Sequence, residues 1–214
     1  MAQVEISLRR LRTDYIDLYQ IHFPDPETPI EETLRTLDDL VRQGKVRYVG
    51  SSNFASWQLA EAAWTSRTLG LNPFVSEQAE FSMLRRNLER EVVPFSESYG
   101  VSIIPFFPLA SGFLTGKYRR GETPPEGTRL AAGPMGARWF TDANYDVLER
   151  LETFAGDRGH TIGELAIAWL LAFPTVDSVI AGATRPEQVV ANAKAADWGL
   201  TSEEKAQVDQ LLKE

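Results

Sequence analysis

The sequence predicts an α/β protein built on a parallel sheet. Short apolar, β-rich runs recur along the chain, stretches with apolar residues at helical spacing separate them, and the clearest runs end in polar residues. About five strands follow from this rhythm. No linker divides the chain, so residues 1–214 read as a single domain.

The elements follow in order. Val4, Ile6, Leu8 and Leu11 lie among charges and read as the end of a helix. Tyr15 to Ile21 reads as a buried strand, and Pro24, Pro26 and Pro29 make the loop after it rigid. Leu34, Leu37, Leu40 and Val41 mark a helix closed by Gly44. Val46 to Gly50 is the next strand, Ser56 to Thr68 a helix and Phe74 to Phe81 a third strand. Leu88 to Tyr99 reads as a helix that Pro94 kinks or breaks early. Val101 to Phe107 is a fourth strand. Ser111 to Thr141 holds so many glycines and prolines that it reads as one long loop. Helices are expected over Asn144–Ala155 and over Thr161–Phe173, the second with a T-x-x-E capping box. A fifth strand is expected over Val176–Ala181, then helices over Pro186–Ala196 and from Ser202 to Leu212.

A net charge of −8 without a basic cluster argues against nucleic acid or an anionic membrane as the main partner. The absence of cysteine excludes disulfides and thiolate catalysis, and two histidines make a multi-histidine metal site an unexpected feature, so no metal is expected. No apolar run reaches the roughly 20 residues of a membrane span, which leaves the cytoplasm as the default location. No G-x-G-x-x-G follows a strand, so the ordinary dinucleotide fold has no support.

Several strand ends carry residues able to do chemistry. His22 closes the first strand and reads either as a satisfied strand-end histidine or as a neutral imidazole that donates to a substrate oxygen. His160 lies in a polar turn and reads as structural or solvated. Ser52 and Asn53 either cap the following helix or fix a ligand carboxamide. Gln78 is a buried hydrogen-bonding partner or a second carboxamide contact. Phe106 and Phe107 are core aromatics or a face that stacks on a planar ring. Gly182 to Glu187 joins the last strand to a helix N-terminus, where small residues and Arg185 suit a phosphate; an ordinary connection with a surface arginine is the alternative.

Three segments in this order resemble the aldo-keto reductase family: RYVGSSNF (Arg47–Phe54), PFFPLASGFLTGKY (Pro105–Tyr118) and SVIAGATRPEQVVAN (Ser178–Asn192). Ser51 departs from the pattern, where an aliphatic residue is usual. The resemblance implies a TIM-type (β/α)8 barrel that binds NAD(P)H without a dinucleotide-binding fold. This chain would supply about its last five strands with their helices and two extra helices, a partial barrel. Ser52, Asn53 and Gln78 would hold the nicotinamide carboxamide. Phe106 would stack on the ring in place of the usual Tyr, and Phe107 replaces a usual Ser near the pyrophosphate. Leu109, Ser111 and the segment through Lys117 would cross the pyrophosphate. Gly182, Thr184, Arg185, Gln188 and Asn192 would line the adenosine end, and Arg185 favours NADP(H) over NAD(H). His22 would be the catalytic histidine acting on a small carbonyl substrate.

The resemblance also implies a catalytic Asp, Tyr and Lys from earlier strands. On that alignment the chain starts in the helix before strand four, N-terminally incomplete, and those three residues are absent. The expected function is NAD(P)H-dependent reduction of an aldehyde or ketone, impaired in this chain by that absence. The alternative is a non-catalytic NADP(H)-binding or interaction module. Open sheet edges in such a partial barrel favour self-association.

Overall fold

Why the strands and helices form where they do is visible in a computed structural model, which describes residues 2–131 and 134–213. Helix α1 (Ala2–Leu11) buries Val4 and Leu8, one turn apart. Strand β1 (Ile16–Ile21) follows, then α2 (Ile30–Arg42), whose Leu34, Leu37 and Leu40 form its buried face. Gly44 stands at φ 72 just beyond α2, the left-handed position that ends a helix cheaply only for glycine. Strand β2 (Val46–Ser52), α3 (Ser56–Leu69), β3 (Phe74–Glu80), α4 (Val92–Tyr99) and β4 (Ser102–Phe106) complete the alternation. The four strands form one sheet in the order β1-β2-β3-β4, and β1–β2 and β2–β3 pair parallel. The α/β class with a parallel sheet is therefore correct.

Two expectations need correction. Pro94 neither kinks nor breaks a long helix. It sits in the first turn of a shorter one that starts at Val92, where a missing N–H leaves no intrahelical bond unmade, while Asn87–Arg90 form a separate 3-10 turn. The fifth strand over Val176–Ala181 is reduced to a single parallel bridge, Phe106 with Ile180, in which Ile180 N–H donates to the Pro105 carbonyl at 2.9 Å. Pro105 presents that edge with a carbonyl but no N–H, so the ladder cannot extend through it.

After β4 come α5 (Asp142–Gly156), α6 (Ile162–Leu171), α7 (Pro186–Lys194) and α8 (Ser202–Leu211). Thr161 and Glu164 form the expected capping box on α6. The cap of α8 is Thr201, paired with Glu204, one residue before the expected start. Among the described residues no helix is long and apolar enough to cross a membrane.

Contacts divide the chain into two compact units: Met1–Ala79 with Glu89–Ile104, and Glu80–Leu88 with Pro105–Glu214. In the first, α2 packs on β2 and α3 on α2 and α4. In the second, α6 lies against α5 and α7, and α5 also packs on α8. Trp169 of α6 is fully buried with its ring edge-on to Phe81 and Phe173, and its Nε1 donates to Asp209 at 2.9 Å. The long loop holds two 3-10 turns, Ala110–Thr115 and Pro134–Arg138, while its Ala132 and Gly133 lie outside the described residues. Trp139 and Tyr118 are buried and anchor the loop. Exposed Arg120 ties it to α5 through Asp142, Asp146 and Glu149.

Candidate functional site

The first unit gathers four of the expected site residues. Strand β1 ends at Ile21, and His22 follows with an exposed side chain whose ring lies 4.5 Å from that of Phe23. Strand β2 ends at Ser52, which faces Gln78 of β3 in register. The Gln78 carbonyl accepts two bonds from this end of β2, from Ser52 Oγ at 2.8 Å and from Asn53 N–H at 3.1 Å. Asn53 has φ 62, a left-handed conformation that asparagine tolerates better than most residues. Its Nδ2 donates to Ser52 Oγ and to the His22 carbonyl, both at 3.0 Å. One amide therefore ties the turn after β2 to the residue that follows β1.

This geometry removes one of the two readings of Ser52 and Asn53. The N-cap of α3 is Ala55, with the Gln58 side chain accepting its N–H at 2.9 Å, so neither Ser52 nor Asn53 caps that helix. Gln78 is half-buried, and its side-chain amide has no hydrogen-bonding partner among the described residues. With the Ser52 hydroxyl proton and both Asn53 Nδ2 protons engaged, the free Gln78 amide and the Asn53 Oδ1 remain as donor and acceptors suited to a carboxamide.

The strand pair also holds a residue that sequence reading passed over. Glu77 is fully buried and accepts from Ser51 Oγ at 2.5 Å and from Phe54 N–H at 3.0 Å. Burial pushes its carboxyl up to about 7, against the downward pull of hydrogen bonds from Ser51, Phe54 and Asn53. The departure at Ser51 from the aliphatic pattern was the available signal, because a buried hydroxyl calls for a polar partner. Gly50 completes the packing: a Cβ there would lie 2.4 Å from Ser76 Oγ and 3.1 Å from the Ser76 carbonyl.

The second unit carries the remaining candidates. Phe106 is half-buried and meets Phe107 edge-on at 5.3 Å. Phe107, Ala110 and Ser111 all have left-handed backbones, at φ 54, 47 and 59. The Leu109 carbonyl accepts from Gly112 and Leu114 N–H at 2.8 and 3.1 Å, which folds this stretch tightly. Gly112, at φ 96, leaves room for Lys117, whose Nζ stands 3.2 Å from where a Cβ would be. Gly182 has open space on its Cα. The Gln188 Oε1 accepts from Thr184 N–H at 2.7 Å, Thr184 Oγ1 at 3.2 Å and Arg185 N–H at 3.2 Å, so in this state it occupies the N–H groups of that turn. Asn192 borders a cavity of about 170 Å³ with Ile167, Val179, Ala181, Val189 and Ala193. Neither Lys117 nor Arg185 has an ion-pair partner among the described residues. His160, read from sequence as structural or solvated, stacks on Trp198 at 3.9 Å.

Comparison with known proteins gives this arrangement its context. The aldo/keto reductase family profile matches residues 1–213. The chain belongs to that family. It is 37% identical over 195 residues to a probable voltage-gated potassium channel subunit beta of Oryza sativa subsp. japonica, covering 89% of this chain and 59% of the relative. It is 32% identical over 213 residues to the aldo-keto reductase YhdN of Bacillus subtilis, covering 99% and 62%. It is 32% identical over 219 residues to the L-glyceraldehyde 3-phosphate reductase of Escherichia coli O157:H7, again covering 99% and 62%. The chain thus spans about three fifths of the length of these relatives. Its relatives include proteins named as reductases.

Proposed function

We propose that this chain carries the cofactor-binding residues of an NAD(P)H-dependent carbonyl reductase, contributing four strands and the single bridge at Ile180 to a (β/α)8 barrel. The observation that carries this reading is the group formed by Ser52, Asn53 and Gln78, with the Gln78 amide free and the Asn53 amide fixed to His22. The Gln78 amide and the Asn53 Oδ1 fit a carboxamide, and Lys117 and Arg185, without ion-pair partners among the described residues, suit phosphates.

In this reading Ser52, Asn53 and Gln78 hold the nicotinamide carboxamide and so fix which face of the ring is presented. Phe106 gives the ring an aromatic face. Leu109, Ser111 and Lys117 follow the pyrophosphate. Arg185, with Gly182, Thr184, Gln188 and Asn192, receives the adenosine end and favours NADP(H) over NAD(H). Gln188 must yield the turn N–H groups it now occupies if a phosphate is to take them. The bound cofactor supplies the hydride. His22 donates a hydrogen bond to the carbonyl oxygen of an aldehyde or ketone and orients it. The location is proposed to be cytoplasmic, and open sheet edges favour self-association.

A second reading, a non-catalytic NADP(H)-binding or interaction module, is supported by the relatives described as potassium channel subunits. It uses the same cofactor contacts and lacks turnover. Titration of the purified chain with NADPH and with NADH, followed by quenching of tryptophan fluorescence, tests the shared part. Saturable binding that is tighter for NADPH is expected, and a folded chain that binds neither overturns both readings. Oxidation of NADPH in the presence of an aldehyde then separates them, because sustained turnover sinks the non-catalytic one.

A further inference from the structure

The cofactor contacts proposed above leave a buried acid unused. Glu77 precedes Gln78 on β3 and is 0% exposed. A buried carboxyl without a counter-ion is costly, and a neutral side chain of similar size would avoid that cost. Its two oxygens go to the two ends of one turn: Oε2 to Ser51 Oγ at 2.5 Å, and Oε1 to Phe54 N–H at 3.0 Å. Between those anchors lie Ser52 and the left-handed Asn53, whose amide reaches the His22 carbonyl.

The Ser51 hydroxyl has two acceptors to choose from, Glu77 and, at 3.2 Å, the Ser76 carbonyl. When Glu77 is ionised, Ser51 donates to it, and both anchors are charge-assisted. When Glu77 is protonated, it donates to Ser51, which then donates to Ser76, and Phe54 N–H keeps only a neutral acceptor. Both states are satisfied, but the ionised one grips the turn more firmly.

We propose, on the strength of the cofactor reading, that Glu77 is the positioning residue of the Ser52–Asn53 turn and that its charge sets how firmly the turn receives a nicotinamide carboxamide. Its pKa near neutrality makes that charge adjustable in the physiological range. No charged neighbour contributes to that shift. Asp17 of β1 pairs with Arg47 of β2, and Tyr19, Tyr48, the α3 residues Glu61 and Arg67, and the α4 residues Glu97 and Tyr99 play no part in it.

The test follows NADP+ affinity and the NMR shift of the Phe54 amide from pH 5.5 to 8.5, in the chain and in Glu77→Gln. Wild-type affinity should weaken about fivefold as pH falls, the difference between a charge-assisted and a neutral bond. Its midpoint should coincide with a step in the Phe54 amide shift. Both steps should vanish in Glu77→Gln, and any titration of the ligand's own phosphates will appear equally in both proteins. Parallel affinity profiles in the two proteins, or a Phe54 amide that does not titrate, overturn the proposal. If the folded wild type binds no NADP+ at any pH while Phe54 still titrates, the cofactor reading itself fails, and this inference falls with it.

Discussion

Replacing Glu77 by Gln should change how the stability of this chain depends on pH, by an amount that follows from its burial. The folded-state pKa is raised from an ordinary 4.5 to about 7. Below the ordinary value both folded and unfolded states are protonated, and the carboxyl imposes no penalty. Between that value and about 7 the unfolded chain ionises while the folded one does not, so the unfolded chain loses its proton first and stability falls as pH rises. Above the folded pKa the loss is complete and amounts to about 3 kcal/mol at roughly 1.4 kcal/mol per pKa unit. Glutamine keeps an acceptor for Phe54 N–H and a donor for Ser51 Oγ and has no charge to bury, so its profile lacks this step. Carboxyls held low by their hydrogen bonds, such as Asp38 and Glu164, act with the opposite sign at lower pH. They are present in both proteins and cancel in the difference. Urea unfolding at pH 5 and pH 8, with the slope checked for constancy, gives the comparison. Relative to Glu77→Gln, wild type should lose most of that 3 kcal/mol between the two pH values. A difference that stays flat across the window would show that Glu77 is not buried as an acid with a raised pKa.

Three other perturbations read different parts of the molecule. Gly50→Ala forces a Cβ to within 2.4 Å of Ser76 Oγ and 3.1 Å of its carbonyl, so thermal unfolding should show a loss of about 1–3 kcal/mol. Asp38 is buried on α2 and accepts from Asn72 N–H at 3.0 Å and Nδ2 at 2.7 Å; Asp38→Ala leaves that backbone N–H without its partner and should cost about 1–3 kcal/mol in urea unfolding. On the proposed function, Arg185→Ala should weaken NADPH binding about tenfold and leave NADH nearly unchanged, as judged by fluorescence titration.

Local signals predicted local structure well. The apolar runs that became β1, β2 and β3 were legible because each pairs a β-rich stretch with a polar end, and the box at Thr161 and Glu164 was legible because capping depends on two side chains three residues apart. What failed depended on a neighbour. Val176–Ala181 has strand composition, yet its pairing edge includes Pro105, some seventy residues earlier. Pro94 reads in the sequence as a kink or an early break, and only the late onset of α4 at Val92 places it in a first turn instead. At the site, Ser52 and Asn53 stood out as polar residues at a strand end and Gln78 as a polar residue within one. Glu77 was not, because a carboxyl in a strand ordinarily points to solvent, and its inward course is fixed by Ser51 across the ladder.

Backbone strain bears on what these strand ends are for. A non-glycine residue in the left-handed region costs roughly 1 kcal/mol and persists only where its surroundings over-determine it. Besides Arg12 after α1, the described non-glycine residues with positive φ are Asn53, Phe107, Ala110 and Ser111, and all four follow the last residues of β2 or β4. At Asn53 the determinants can be named: Gln78 and His22 accept from it, and Glu77 grips the residues on either side of the Ser52–Asn53 pair. Helix capping does not account for the strain, because α3 is capped at Ala55. Core packing does not require it either, since Asn53 is only half-buried. A strained turn held from three sides, with the free amide of Gln78 on the neighbouring strand, is the arrangement expected where a polar ligand is to be met with little loss of side-chain freedom. In this chain the strain is therefore better evidence for a ligand at the ends of β2 and β3 than the presence of serine, asparagine and glutamine alone.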